Sequence, residues 1–188
     1  MNNKKSKIVS ILSIFILAIS LSGLCLAKTA QTNKAFTYKA LGICFVSPIP
    51  LPSKDDIGAS KGETIEFGIP GALEGHSKFK IIISKYSQVL LDGIGDKPDQ
   101  LRDYGRTVYL ASSKPAKENV SRTFQNKTLI GIKEESKIPS PAIQESYLVT
   151  FGKTMYFIGI KYDKDFSSTE AEKIITSLFG SLKAVKVK

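Results

Sequence analysis

Histidine and cysteine are scarce in this chain of 188 residues: His76 stands alone, and the cysteines are Cys25 and Cys44. A metal centre takes three or four ligands with hydrogen-bonded support behind them. Glu74 and His76 could supply two, with Asp55-Asp56 or Glu134-Glu135 completing the set only through the fold. No metal is therefore expected. Blocks of like charge are also missing. The 27 Lys and Arg and 17 Asp and Glu are scattered, and no basic cluster interleaves with aromatics, which argues against nucleic acid. The glycines at 58, 62, 68, 71, 75, 93 and 95 form neither phosphate-loop nor dinucleotide spacing, so no cofactor is expected. They fall in turns, where positive φ is useful.

One long apolar run exists, at the front. Lys4, Lys5 and Lys7 precede the uncharged stretch Ile8–Leu21, followed by Ser22 and Gly23 and then Cys25-Leu26-Ala27. This is the layout of a secretory signal peptide, with small side chains three and one residues before the cut. Cleavage is expected after Ala27, residues 28–34 are a polar lead-in, and 35–188 form a single domain. Two other outcomes stay open. Cys25 could be acylated as the first mature residue, although Leu24 occupies a position where that peptidase takes a small residue. Alternatively, Ile8–Leu26 nears the ~20 residues of a membrane span and could remain as an anchor; membrane contact is expected only if that segment is retained.

Cleavage removes Lys4, Lys5 and Lys7 from the 27 basic residues and leaves 24 against 17 acidic ones, a formal +7. Such a surface suits an acidic protein or an anionic envelope component, though dispersed lysines also serve as plain solvation. Cys44 then has no cysteine partner, so the core alone must hold the domain. Its place between Ile43 and Phe45 predicts a small buried residue.

Ile143–Leu182 is the clearest stretch. Apolar runs end at Phe151 and resume at Met155 across a Gly152-Lys153 turn. In the second run, Met155, Phe157 and Gly159 alternate with Tyr156, Ile158 and Ile160. Both faces are apolar, which predicts a strand covered on both sides. Ser167 and Glu170 form a capping-box pair. Ala171, Ile174, Ile175, Leu178, Phe179 and Leu182 follow as one helical stripe. Phe157 and Phe179 are expected to meet between strand and helix.

Earlier strands are predicted at Ala35–Lys39, Gly42–Ser47, Thr64–Ile69, Lys78–Lys85, Val120–Phe124 and Thr128–Lys133, the last two hinged at Gln125-Asn126. A middle helix starts at Asp96 and Pro98, with Leu101, Tyr104, Val108 and Ala111 as its stripe. Gly105 weakens it by ~1 kcal/mol relative to alanine. Asp99, Arg102, Asp103 and Arg106 pair at i, i+3 on its polar side. The sum is an α+β fold: an antiparallel sheet of about six to seven strands flanked by helices.

Gly58-Ala59-Ser60-Lys61-Gly62 spells the G-x-S-x-G nucleophile elbow. That motif needs a strand turning sharply into a helix; here a polar loop precedes it and a strand follows. His76, read as an exposed loop residue, is the sole candidate base. A small secreted serine hydrolase using Ser60 and His76 is thus the alternative to a non-catalytic module. For binding, the loops Pro48–Glu63 and Pro70–Ser77 are long for simple turns and flank the strand Thr64–Ile69. Lys54, Ile57 and Lys61 on one, with Leu73 and His76 on the other, would form a mixed patch if the loops share an end of the sheet. The competing reading folds Ile57 and Leu73 back over the sheet edge.

The order of elements resembles the PsbP-like fold superfamily. The resemblance rests on Tyr38–Pro52 with Gly42-Ile43-Cys44-Phe45-Val46, on Phe157-Ile158-Gly159-Ile160, and on the terminal helix with Ile174-Ile175-Thr176-Ser177-Leu178-Phe179. Members often carry a tryptophan after the first proline; this chain has none. The resemblance implies an antiparallel sheet flanked by helices and a protein-binding or assembly role without catalysis.

Overall fold

The computed structural model describes residues 34–47, 64–73, 76–112, 118–136 and 141–185. In chain order the elements are β1 (Lys34–Tyr38), β2 (Ile43–Ser47), β3 (Thr64–Pro70), β4 (Ser77–Lys85), α1 (Gln88–Ile94) and α2 (Pro98–Leu110). They continue as β5 (Glu118–Phe124), β6 (Lys127–Ser136), β7 (Ala142–Phe151), β8 (Thr154–Asp163), α3 (Ser168–Ser181) and β9 (Lys183–Ala184). Six strands form an antiparallel sheet in the order β3-β4-β8-β7-β6-β5, and β1, β2 and β9 form a second, smaller one. The expected α+β class therefore holds. The two leading strands leave the expected meander to pair with the chain end that follows α3.

β8 organises the main sheet. Tyr156, Phe157, Ile158, Gly159 and Ile160 are all buried. Because side chains alternate, Tyr156, Ile158 and Ile160 join one core with Ala171, Ile174, Ile175, Leu178 and Phe179 of α3. Phe157 joins another on the opposite face, with Ile82, Tyr86, Leu101 and Leu110. The expected Phe157–Phe179 contact is therefore absent: Phe157 faces α2, while Phe179 points from α3 into the core on the opposite side of the sheet. Phe179 instead meets Tyr147 edge-on, with ring centroids 4.8 Å apart, while Phe157 stacks on Tyr109 at 5.5 Å.

The terminal helix follows its stripe. Ser167 caps it, accepting from the Glu170 amide, as the capping-box spacing predicts. Its last turn is tied to β2: Ser181 Oγ accepts from Val46 N at 2.8 Å, and Ser177 Oγ donates to Val46 O at 3.2 Å. Ile43 and Phe45 enter the same core. Cys44, one residue out of phase, is only half-buried and free, a correction to the expected burial.

The middle helix turns differently from its predicted stripe. Leu101, Gly105, Arg106 and Leu110 are buried, whereas Val108 is 52% exposed and Ala111 is an exposed left-handed cap. The cause is Gly105. A β-carbon there would lie 2.2 Å from Phe157 Cδ2, so the missing side chain lets the helix settle onto the ring. A short helix that the sequence reading lacks, α1, precedes it. Ser87 caps α1, and Leu90, Leu91 and Ile94 pack on the smaller core.

The close approach at Gly105 yields a prediction. Gly105→Ala gains ~1 kcal/mol of helix propensity but forces the ring aside, and overpacking of this kind costs ~1–3 kcal/mol. Urea denaturation should show a net loss of stability, relieved by adding Phe157→Leu. A stabilised single variant would contradict the packing.

Candidate binding surface

Between β3 and β4 the chain closes a small loop. Gly71 N donates to His76 O at 2.7 Å and His76 N to Leu73 O at 3.1 Å. A β-carbon at Gly71 would sit 2.5 Å from the His76 ring, so the glycine allows the imidazole to lie across the loop. Leu73 projects from it, 75% exposed. This rules out folding back over the sheet edge for Leu73.

His76 is not the free loop residue that was expected. Its Nε2 lies 2.8 Å from Asp163 Oδ2, with side-chain exposures of 29% and 16%. Asp163 ends β8, and alternation puts it on the Phe157 side together with Lys161. Across the strand pair Lys161 faces Lys80, which reaches Glu66 at 2.9 Å. Burial pushes the Lys161 ammonium below the usual lysine range. The Lys80 charge adds to this and Asp163 opposes it. The loop end of the sheet thus carries the His76–Asp163 pair and an exposed leucine, and Lys161, Lys80 and Glu66 continue the charge along the same face away from it. Sequence reasoning missed Asp163, Lys161 and Lys80, because no motif marks them and only strand register brings them together.

Lys54, Ile57, Lys61 and Ser60 lie outside the described residues, as do Glu74, Asp55 and Asp56. The segment that carries the first four joins β3 at Thr64. That is seven residues, about 20 Å at strand rise, from the end that leads to Leu73 and His76. Among the described residues, no three His, Cys, Asp or Glu side chains are grouped to hold a metal ion.

Two further charged clusters are internal. Glu145 is fully buried in the core under α3. Arg122 Nη2 donates to both its oxygens at 2.9 and 2.7 Å, Arg122 Nε to Tyr147 Oη at 3.0 Å, and Arg122 Nη1 to Glu172 Oε2 at 2.5 Å. Tyr147 also donates to Glu145. Burial works against the Arg122 charge, but hydrogen bonds to Glu172 and Glu145 outweigh it and raise the pKa. Tyr147 is raised as well, by burial and then by Glu145. Burial first, then the Glu145 and Glu172 charges, pushes Tyr162 up to about 12. On the other face, Arg106 joins Asp103 at 2.7 Å, Ser112 at 3.2 Å and buried Glu134. The i, i+3 pairings of α2 are as expected, but Arg106 is buried, not on a polar face. These clusters tie strands and helices together.

No family model and no curated protein matches the chain. Solved structures do. The Ran-binding protein Mog1p of Saccharomyces cerevisiae superposes with a TM-score of 0.59 at 10% identity, over 84% of this chain and 97% of that one. The cyanobacterial PsbP (CyanoP) of Synechocystis gives 0.50 at 16% identity, over 85% and 96%. The fold is the PsbP-like one. At these identities the likeness speaks to fold alone.

Removing one partner from a buried ion pair costs ~3–5 kcal/mol. Arg122→Met, which strands Glu145, should lower unfolding free energy by about that amount; a loss below 1 kcal/mol would mean the pair is solvated. Tyr162 adds a pH effect. Its phenol titrates at about 12 when folded and near 10 when unfolded, so the unfolded chain releases that proton first. Stability present below pH 10 is therefore lost as pH rises from about 10 to 12. Tyr162→Phe should flatten this alkaline limb in denaturation curves.

Proposed function

We propose that the chain is an exported, non-catalytic module that binds a protein or an anionic envelope component through the loop end of the six-stranded sheet. The observation that carries this reading is Leu73. A loop closed by two backbone hydrogen bonds and pinned by the His76–Asp163 pair holds an apolar side chain out in water. Rigid presentation of an apolar group beside charge suits recognition, since little ordering entropy remains to be lost on binding. The formal +7 of a chain without its leader favours an acidic counterpart. The same fold serves a Ran-binding protein, so protein binding is compatible with it. Lys54, Ile57 and Lys61, in the segment that leads in sequence to β3, are a second candidate contact.

The His76–Asp163 pair is the observation that favours the other reading, a secreted serine hydrolase using Ser60. Asp163 holds Nε2, which leaves the remaining ring nitrogen, Nδ1, for a hydroxyl. The two readings separate in one experiment, with the purified product of the full chain tested against envelope fractions and generic esters. Leu73→Asp should reduce binding about tenfold with the melting temperature unchanged, an effect on the scale of 1.4 kcal/mol. Lys54→Glu with Lys61→Glu should weaken it further, and Ser60→Ala should alter nothing. Ester turnover abolished by Ser60→Ala would reverse the ranking. Export itself predicts an intact mass starting at Lys28; an acylated Cys25 or a retained Met1 would replace cleavage at Ala27 with a membrane tether.

A further inference from the structure

The six-stranded sheet ends at β3 on one side and β5 on the other, and the two edges differ. Natural edges are blunted by proline, bulges or lysine to discourage pairing with another chain. β3 carries Pro70, with a register shift between Ile69 and Pro70. β5 has neither proline nor lysine, and its seven pairs with β6 run from Glu118↔Lys133 to Phe124↔Lys127 without a shift. Its one cation, Arg122, is turned inward onto Glu145 and Glu172. Asn119, Ser121 and Thr123, on the opposite face, are exposed. Beside Ser121 stands Ile130 of β6, 46% exposed because the serine is too small to cover it.

We propose that β5 pairs with β5 of a second copy of this chain, antiparallel about a twofold axis at Ser121. The strand is complementary to itself in that register. Ser121 meets Ser121, and Asn119 meets Thr123, which gives small hydrogen-bonding pairs on the exposed face. Val120 meets Arg122 and Glu118 meets Phe124 on the other face, so no like charges oppose each other. Arg122 falls diagonal both to Glu118 and to Arg122 of the second copy. The first is an opposite-charge pair, and in the second each guanidinium is already neutralised by Glu145 and Glu172. A twofold contact uses the same surface on both partners and closes the assembly at two. One strand pair buries less than a standard interface, so the dimer is weak and reversible.

Sedimentation velocity on the purified product of the full chain, from low micromolar to millimolar concentration, tests the pairing. A reversible shift from monomer to dimer is expected. Ser121→Lys puts two ammonium groups face to face and should abolish the shift without moving the melting temperature, since Ser121 is exposed. In a Cys44→Ala background, Ser121→Cys should oxidise to a dimer whose peptide map joins position 121 to itself, because opposed strand residues lie within disulfide range. Asn119→Cys should link to Thr123→Cys in a mixture but not to itself, four residues out of register. A monomer at all concentrations, a dimer that survives Ser121→Lys, or cross-links in another register would overturn the proposal. A monomer that shifts only on adding a foreign peptide would assign the edge to a different partner and overturn it equally.

Discussion

Burial of β8 on both faces is the constraint on which the other packing depends. A strand with apolar side chains above and below must have a layer on each side. Tyr156, Ile158 and Ile160 require the layer that α3 and β2 supply, and Phe157 and Gly159 require the one that α2 supplies. Each helix then needs a surface that fits it. Gly105 lets α2 close on Phe157, and the hydroxyls of Ser177 and Ser181 lock α3 to β2. The carboxylate trapped by this closure is answered in place. Glu145 is fully buried, yet Arg122, Tyr147 and Tyr162 surround its two oxygens. A buried carboxylate without such partners would be strongly destabilising.

Much of this was legible in the residues, and for a physical reason. Alternation and helical period are local, so the strands, the α3 stripe, its Ser167 cap and the turns at Gly152-Lys153 and Gln125-Asn126 follow from sequence; Gly152, Gln125 and Asn126 do take positive φ. What failed depended on partners distant in sequence. Phe157 and Phe179 both sit in apolar stripes, but only the crossing of layers decides which side of the sheet each stripe meets. Arg106 looked like a surface residue because its partner Glu134 is 28 positions away. The α2 stripe rotated because a glycine was recruited for contact, which no propensity scale encodes.

The candidate site was less legible. Leu73 and His76 were identifiable as loop residues, but their neighbours Asp163, Lys161 and Lys80 arrive through β4–β8 register. What the loop end presents is a pinned leucine with charged neighbours, an arrangement suited to contact. The internal clusters, by contrast, are occupied in holding the sheet to its helices. The fold therefore keeps its strongest electrostatics inside, and the recognition surface proposed above lies at its rim.

Native-state hydrogen exchange tests the central claim, that β8 is gripped from both sides as one cooperative unit. Amides of Tyr156 to Ile160 should exchange only through global unfolding, with opening free energies equal to the denaturant-derived stability and to one another. Exchange of these amides at a clearly lower free energy, through release of α2 while α3 stays protected, would show the two layers to be independent and contradict it.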